Sequence, residues 1–466
     1  MLSFSLEQIA AVTGGRLADV PDPSALMTQG IVTDSREVIP GSVFVALVGE
    51  RVDGHDFAAR TVEAGAIAVL ASRPVGVPAI VVDDTLAALA AIGRHALTQL
   101  TDPVVVGLTG SAGKTSTKDL LAQVLPRLGP TSVTDRSFNG EIGMPITILR
   151  ANQDTRYLVL EMGARGAGHI ANLTTIARPS VGLVLNIGTA HVGEFGGRQA
   201  IADAKSELVA ALPANGLAVL NADDELVAAM AARTKARVRT FGFGDHADVW
   251  ADQITLDAAG RPSFTLHLRG VANTRVTMGL HGEHHVANAL AAAAVATGLR
   301  MNLSAVAAAL SSAKNLTTGR MEVLDRADGL QVVNDAFNAN PDSMRVALKA
   351  LAAMADGRRT VAVLGEMMEL GDEAEAGHRE VGKLAADSGV GLLVAVGGEH
   401  AHMLATAARE QNPLLDVIRA ADRDAVPAAM AGALTARDIV LVKGSHSTGL
   451  EATAQLLATD TAGTHA

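Results

Sequence analysis

Between Pro103 and Lys118 the chain reads PVVVGLTGSAGKTSTK, and no other stretch restricts its fold so strongly. An apolar run, Val104 to Leu108, enters a glycine-rich turn, Thr109 to Gly113. Lys114, Thr115 and Ser116 follow, and a helix-like stretch runs from Thr117 to Leu125. Strand, loop and helix in that order form a phosphate cradle. Gly110, Ser111, Ala112 and Gly113 are small enough for backbone N–H groups to approach phosphate oxygens, and the helix N-terminus behind them favours anions. Lys114 would neutralise the terminal phosphates, and the Thr115 hydroxyl would ligate Mg²⁺. A nucleoside triphosphate is therefore the expected ligand. The common spacing puts a glycine six residues before the lysine; here Leu108 holds that place and the glycines are Gly107, Gly110 and Gly113. A bare glycine turn with a chance lysine is the bland alternative, and the flanking strand and helix argue against it.

The 466 residues suggest about three domains. Hydrophobic content of 48% against 19% charged residues fits a globular chain with ample core. A formal net charge of −11 argues against a nucleic-acid or acidic-membrane partner. The absence of cysteine excludes disulfides, thiolate metal sites and a cysteine nucleophile. The start, MLSFSLEQIAAVTGG, has no basic n-region, so no signal peptide is expected. The apolar helical stretch Val286 to Leu299 is shorter than the ~20 residues of a membrane span. A cytoplasmic location is the default expectation.

Three α/β units are expected. Residues 1–99 hold short strand-like runs, Ser42 to Leu47 and Ala79 to Val82, and a helix-like run, Leu86 to Leu100; Asp102-Pro103 makes a break. Residues 100–317 carry the phosphate loop. There Tyr157 to Leu160, Val181 to Ile187 and Leu217 to Leu220 read as buried parallel strands. Val249 to Met278 alternates and reads as antiparallel strands beside them, followed by helices near 283–298 and 303–313. Residues 318–466 begin a second, Rossmann-like doubly wound unit, with strands at Val332-Val333, Thr360 to Leu364, Leu392 to Val396 and Ile439 to Val442. The catalytic cleft is expected between the units.

Glu161 ends the strand YLVLE, where a carboxylate points into the ligand crevice and can hold Mg²⁺. His191, in NIGTAHVGEFG, follows another strand and is either a second metal ligand or an ordinary loop histidine. Lys205 reads by itself as a solvated helix lysine. His284, His285 and Asn288 open the Ala-rich helix. His284 and Asn288 share a face, but Glu283 precedes both histidines and the H-E-x-x-H zinc pattern is absent. Asp335, Asn338, Asn340 and Ser343, in NDAFNANPDSM, suit ribose or substrate hydroxyls, or an Asx-rich turn before a helix.

Taken together, these segments resemble the Mur ligase family of ATP-dependent amide-forming enzymes, which extend the peptide of the cell-wall precursor. The resemblance runs from about Thr33 to Leu450. It rests on TDSREVIPGSVFVAL, DGHDFA, TGSAGKTS, NGEIGMP, LEMGA, NIGTAHVGEFG, ADAKSE, GEHHVAN, TTGRME, NDAFNANPDSM, LGEMMELG and VLVKGS, in family order. NDAFNANPDSM and VLGEMMELGDEAEAGHREVG are most similar to the branch that joins D-Ala-D-Ala to UDP-MurNAc-tripeptide. The Asn-Pro-Arg signature of the branch that adds a diamino acid is absent.

The resemblance implies a reaction of ATP, UDP-MurNAc-tripeptide and D-Ala-D-Ala through an acyl phosphate, with ADP and phosphate as co-products. It implies that Lys114 contacts the β/γ-phosphates, that Thr115 and Glu161 hold Mg²⁺, and that His191 ligates a second Mg²⁺. Lys205 is implied to be carbamylated, which overturns the solvated-lysine reading. Asn288 would contact adenine, Arg320 the phosphates from the domain hinge, and Asp335 the ribose. Ser35 and Arg36 would lie near the uridine, Asn139 and Glu141 would face the muramoyl peptide, and Asn338 and Asn340 would face the incoming dipeptide. A monomer is implied. His285, Gly140 and His446 depart from the family pattern. Two alternatives stand beside this reading: a diamino-acid-adding ligase, which would share every ATP and Mg²⁺ residue, and a regulatory ATP-binding protein without ligase activity.

Overall fold

The strand Val104–Thr109 lies inside a nine-stranded sheet, with Tyr157–Glu161 on one side and Val181–Val184 on the other. The computed structural model describes residues 1–49, 52–135, 138–188 and 195–459. Thr131–Val133 closes one edge of this sheet, and Leu217–Asn221, Arg237–Gly242 and Val249–Leu256 extend the other. All these strands run parallel. Pro262–Leu268 and Ala272–Thr277 then add an antiparallel margin, as the alternating pattern predicts. From Val104–Thr109 the chain crosses to the edge strand Thr131–Val133, comes back through Tyr157–Glu161 between the two, and then builds in the other direction from Val181–Val184. The phosphate loop therefore sits at a switch of strand order, where a crevice opens.

Helices Lys114–Val124 and His284–Gly298 pack together on one face of that sheet. Ala289 and Ala291 to Ala294 in the second helix are fully buried. Small side chains let its backbone approach the phosphate-loop helix closely, at the cost of a narrow tolerance for larger residues.

The first unit is a five-stranded sheet, ordered Arg16–Ala18, Ala79–Val81, Ala68–Ala71, Val43–Val45, Ile31–Val32. Its helix Thr85–Thr98 starts where Asp84 accepts from the backbone N–H of Leu86 and Ala87, a cap contributing about 1 kcal/mol. That helix packs on helix Gly143–Leu149 of the central unit. A Cβ at Gly93 would lie 2.9 Å from Pro145, so glycine permits the approach. Val43, Leu70, Ile92, Met144 and Leu160 belong to one continuous core, so the first two units share their hydrophobic interior.

The last unit is a six-stranded sheet, ordered Glu322–Asp325, Gln331–Asn334, Asp438–Lys443, Arg359–Gly365, Leu392–Val396, Asp416–Ala420. Only the first pair is antiparallel. Separate apolar clusters cover its two faces, as in a doubly wound fold. The strands at Glu322–Asp325 and Asp416–Ala420 go beyond the sequence reading: both are half-exposed edge strands, with weaker apolar signals. No described helix is long and apolar enough to cross a membrane.

The expected strand Val181 to Ile187 stops at Val184. Beyond it the chain turns to serve the phosphate loop. Ser111 N–H donates to the Asn186 carbonyl at 3.0 Å, and the Asn186 side chain bonds Ala112 on both its N–H and its carbonyl, at 2.8 and 3.1 Å. Apolar character extends past the ladder because Leu185 and Ile187 remain buried.

Candidate functional site

The loop Thr109–Gly113 is braced from three directions. Thr109 Oγ1 donates to the Met162 carbonyl at 2.8 Å. Asn186 clamps Ala112 as described. Gly113 adopts φ +80°, and a Cβ there would lie 2.6 Å from Asn288 Oδ1. Glycine is thus required at 113 by both backbone and neighbour. Helix Lys114–Val124 starts at that residue with no side-chain cap, which leaves its first N–H groups directed at the loop. Lys114 Nζ donates to the Gly110 carbonyl at 2.9 Å, folding the cation back over the cradle.

Behind the lysine, Thr115 Oγ1 donates to Glu161 Oε2 at 3.1 Å, and Asn139 Nδ2 donates to Glu161 Oε1 at 2.9 Å. Asn139 thus orients the buried Glu161 carboxylate. Arg320, on the linker to the last unit, reaches back across the cleft and donates to Thr115 Oγ1 at 3.3 Å. Its guanidinium lies 4.3 Å above the Phe337 ring, a cation–π contact. Arg320 Nε is buried without a hydrogen-bond partner among the described residues, as is Ser111 Oγ. Such orphaned donors are costly in a finished core and fit a ligand site.

A cleft of about 800 Å³ joins these groups. Lys114, Thr115, Glu161, Lys205, Asn139 and Glu141 line it from the central unit, and Arg320, Asn338 and Asn340 from the last; Leu86 contributes from the first. A second cleft, of about 540 Å³, continues past the phosphate loop between His284, His285, Asn288, Arg320, Asp335 and Lys443. Both clefts share Ser111, Gly113 and Ser116.

The charges in this site are perturbed by burial. Desolvation lowers the Lys114 pKa and Arg320 lowers it further, while Glu161 opposes both. Lys205 is 4% exposed, and burial followed by the Lys114 charge pulls its pKa down to about 7. A lysine that is half neutral near neutrality is a nucleophilic amine, unlike the solvated lysine of the plain helix reading. Burial also holds His284 at about 4 and His285 well below the usual histidine value, so both are neutral imidazoles. Their rings lie 4.3 Å apart, and Nδ1 of each lacks a hydrogen-bond partner among the described residues. No group of three or more His, Cys, Asp or Glu suited to a metal occurs among the described residues.

Asp335 does more than close a strand. Its Oδ1 accepts from Met321 N–H at 3.1 Å and its Oδ2 from Lys443 Nζ at 2.6 Å. Lys443 also donates to the Asn338 carbonyl at 2.8 Å. Asn340 caps helix Pro341–Met354 in a reciprocal pair with Ser343, so its side-chain oxygen is committed to Ser343 N–H at 2.9 Å. Asn338 Oδ1 accepts from Ala339 N–H at 2.8 Å. Glu141 accepts from Asn172 at 2.7 Å on the cleft wall.

Ser35 and Arg36 border neither cleft, and Arg36 is exposed and paired with Asp34 at 2.6 Å. His191 lies outside the described residues. The sequence reading assigned no role to Asn186, Lys443, Arg165, His169 or Phe337. Asn186, Phe337 and Lys443 sit inside quoted motifs, while Arg165 and His169 become visible only as walls of the larger cleft.

Fold and site together define a phosphate-loop protein of three α/β units with a composite cleft between them. Three family models match in chain order: "Mur ligase family, catalytic domain" over residues 28–96, "Mur ligase middle domain" over 108–296, and "Mur ligase, glutamate ligase domain" over 319–446. The UDP-N-acetylmuramoyl-tripeptide–D-alanyl-D-alanine ligase of Mycobacterium tuberculosis H37Rv is 46% identical, over 99% of each chain. The Escherichia coli K12 ligase of the same name is 35% identical over 97% of each. Among solved structures, MurF from Acinetobacter baumannii superposes with a TM-score of 0.87 at 33% identity, covering 98% of this chain and 99% of that one. MurF from Thermotoga maritima in complex with ADP gives 0.78 at 28%, covering 93% and 97%. The chain belongs to the Mur ligase family.

Proposed function

We propose that this protein is the ATP-dependent ligase that joins D-Ala-D-Ala to UDP-MurNAc-tripeptide. One observation carries the reading beyond similarity: a single cleft is lined by the phosphate loop, the Glu161 carboxylate and the Asn338–Asn340 loop of the opposite unit. Such a cleft suits a reaction that must bring a carboxylate, a phosphoryl donor and an amine together.

In this reading a precursor carboxylate oxygen attacks the γ-phosphorus, the bond to the bridging oxygen of ADP breaks, and an acyl phosphate forms. The dipeptide amine then attacks the carbonyl carbon. The C–O bond to phosphate breaks, and the nitrogen loses a proton as the amide forms. Lys114 and Arg320 offset the charge of the phosphates, and the braced backbone of Ser111 to Gly113 orients them. Thr115 and Glu161 present hard oxygen donors in mutual contact and fit Mg²⁺, which supplies charge neutralisation when bound. Lys205 in amine form is no ligand for such a cation. Carbamylation would give it carboxylate-like oxygens, and a pKa near 7 supports that chemistry. His191 is assigned to the second Mg²⁺ site by motif position alone. Asn288 and the neutral His284 and His285 line the pocket assigned to adenine. Asp335 keeps the ribose role while anchoring Lys443, since a carboxylate has lone pairs for both. Asn139 orients Glu161 and keeps its assignment to the muramoyl-peptide side of the cleft. Ser35 and Arg36 remain assigned to the uridine end, Glu141 to the muramoyl peptide, and Asn338 and Asn340 to the dipeptide.

Units at 1–99, 100–317 and 318–466, a monomeric state, a cytoplasmic location and the absence of a nucleic-acid partner complete the proposal. Phosphate release from ATP and UDP-MurNAc-tripeptide tests it. Release that requires D-Ala-D-Ala is expected. Release that requires a diamino acid instead, or no amine-dependent release, overturns it.

A further inference from the structure

Residues Glu366 to Gly371 leave the C-terminal end of strand Arg359–Gly365 as a strap along the rim of the second parallel sheet. They are the last six residues of the segment LGEMMELG, to which the reaction outlined above assigns no task. Two anchors hold the strap. Met367 N–H donates to His378 Nε2 at 2.9 Å. Met368 N–H donates to Ser445 Oγ at 2.9 Å, and Ser445 N–H returns a bond to the Glu366 carbonyl at 3.1 Å.

His378 is fully buried, and its other nitrogen, Nδ1, faces the Ala374 carbonyl at 2.6 Å. A carbonyl only accepts, so Nδ1 carries the proton and Nε2 is the acceptor that Met367 needs. One tautomer satisfies both partners. A Cβ on the neighbouring Gly377 would come within 3.1 Å of Leu370 and 3.2 Å of Pro341. The strap, helix Ala374–Asp387 and the start of helix Pro341–Met354 thus converge at one point, beside the Asn340 cap.

The second anchor leads to the cleft. Ser445 lies two residues beyond Lys443, which holds Asp335 and the Asn338 carbonyl. The His446 ring lies tilted, 5.5 Å from the ring of Phe337, a wall of the larger cleft. Met367 and Leu370 are buried, whereas Met368 between them is 51% exposed and Glu369 adopts φ +66°. Strain in a non-glycine residue beside an exposed methionine, on a strap tied at both sides, is characteristic of a contact surface.

We propose that this strap is the outer wall of the site for the incoming dipeptide, that Met368 contacts its methyl side chains, and that His378 is the positioning residue that holds the wall. The inference rests on the ligase reading above and extends it to residues outside the phosphate and metal machinery. The test is steady-state kinetics of Met368→Glu, Ser445→Ala, His378→Leu and His378→Gln, varying D-Ala-D-Ala and ATP separately. Met368→Glu and His378→Leu are expected to raise KM for the dipeptide about tenfold or more, with KM for ATP within about twofold. His378→Gln, which keeps one donor and one acceptor, recovers most of that loss, and Ser445→Ala falls between. Met368 is exposed, so its variant folds even if His378→Leu does not. Dipeptide KM within about twofold of wild type in both Met368→Glu and Ser445→Ala, or dipeptide and ATP KM rising in parallel, overturns the inference. Wild-type turnover in the same assay separates this outcome from failure of the ligase reading, because only the latter abolishes dipeptide-dependent release.

Discussion

Lys114 and Lys443 both stand at the crevice end of a parallel sheet, the first half-buried in the central unit and the second buried in the last. Lys114 makes one hydrogen bond among the described residues, to the Gly110 carbonyl at 2.9 Å, and faces an open cleft. Lys443 is 2% exposed and donates to Asp335 Oδ2 and the Asn338 carbonyl at 2.6 and 2.8 Å. Burial lowers the pKa of both, but Lys443 has a carboxylate within hydrogen-bond reach to oppose it. The first cation is left under-satisfied, as a residue that receives an anion must be. The second is saturated and acts as a strut between the strand end and the acceptor loop. A lowered pKa alone does not distinguish a functional cation from a structural one; its partners do.

Substitution breaks this contrast in opposite directions. Lys114→Ala is expected to cut phosphate release by about 10³-fold, while the thermal midpoint changes little. A large drop in midpoint would make Lys114 a strut as well. Lys443→Met should cost roughly 3–5 kcal/mol in denaturant unfolding, because it leaves the Asp335 charge buried and unpaired. Adding Asp335→Asn is expected to restore a good part of that loss, and a double variant as unstable as the single one would refute the strut.

Lys205 sharpens the comparison with the smallest effect. As a base with its pKa lowered to about 7, it gains its neutral form as pH rises. Carbamate formation needs that form, so added bicarbonate should raise turnover several-fold near pH 6, where only about a tenth is neutral, and little near pH 8. ¹³C-bicarbonate NMR should give a carbamate signal that Lys205→Ala lacks. Bicarbonate response equal at both pH values would exclude the proposal.

Much of this was legible in the chain. Local order alone disclosed the strand, loop and helix around Lys114, and the alternating run at 249–278 disclosed the antiparallel margin. Glu161 was readable because strand ends point into crevices. Lys205 was not, since its depressed pKa arises from packing against a sheet and from a charge 91 positions earlier in the chain. Neither was the Arg320–Thr115 contact, which joins residues 205 positions apart, nor the turning of Asn186 from strand to clamp. Motif membership flagged Asn139, Asn338 and Asn340, but not the hydrogen bonds their side chains make within the protein. Asn139 orients a carboxylate, Asn340 caps a helix, and Asn338 closes a local turn.

Gly319 and Arg320 form the joint at the start of the last unit. Gly319 adopts φ +68° and Arg320 follows it directly. The first two units share an interior, so they travel together, and any rotation between them and the last unit passes through this joint. The guanidinium that touches Thr115 is mounted on the joint itself. Its distance from the phosphates is therefore a gauge of the angle between the two bodies, and a change in charge at the phosphate loop acts on that angle with no intervening lever.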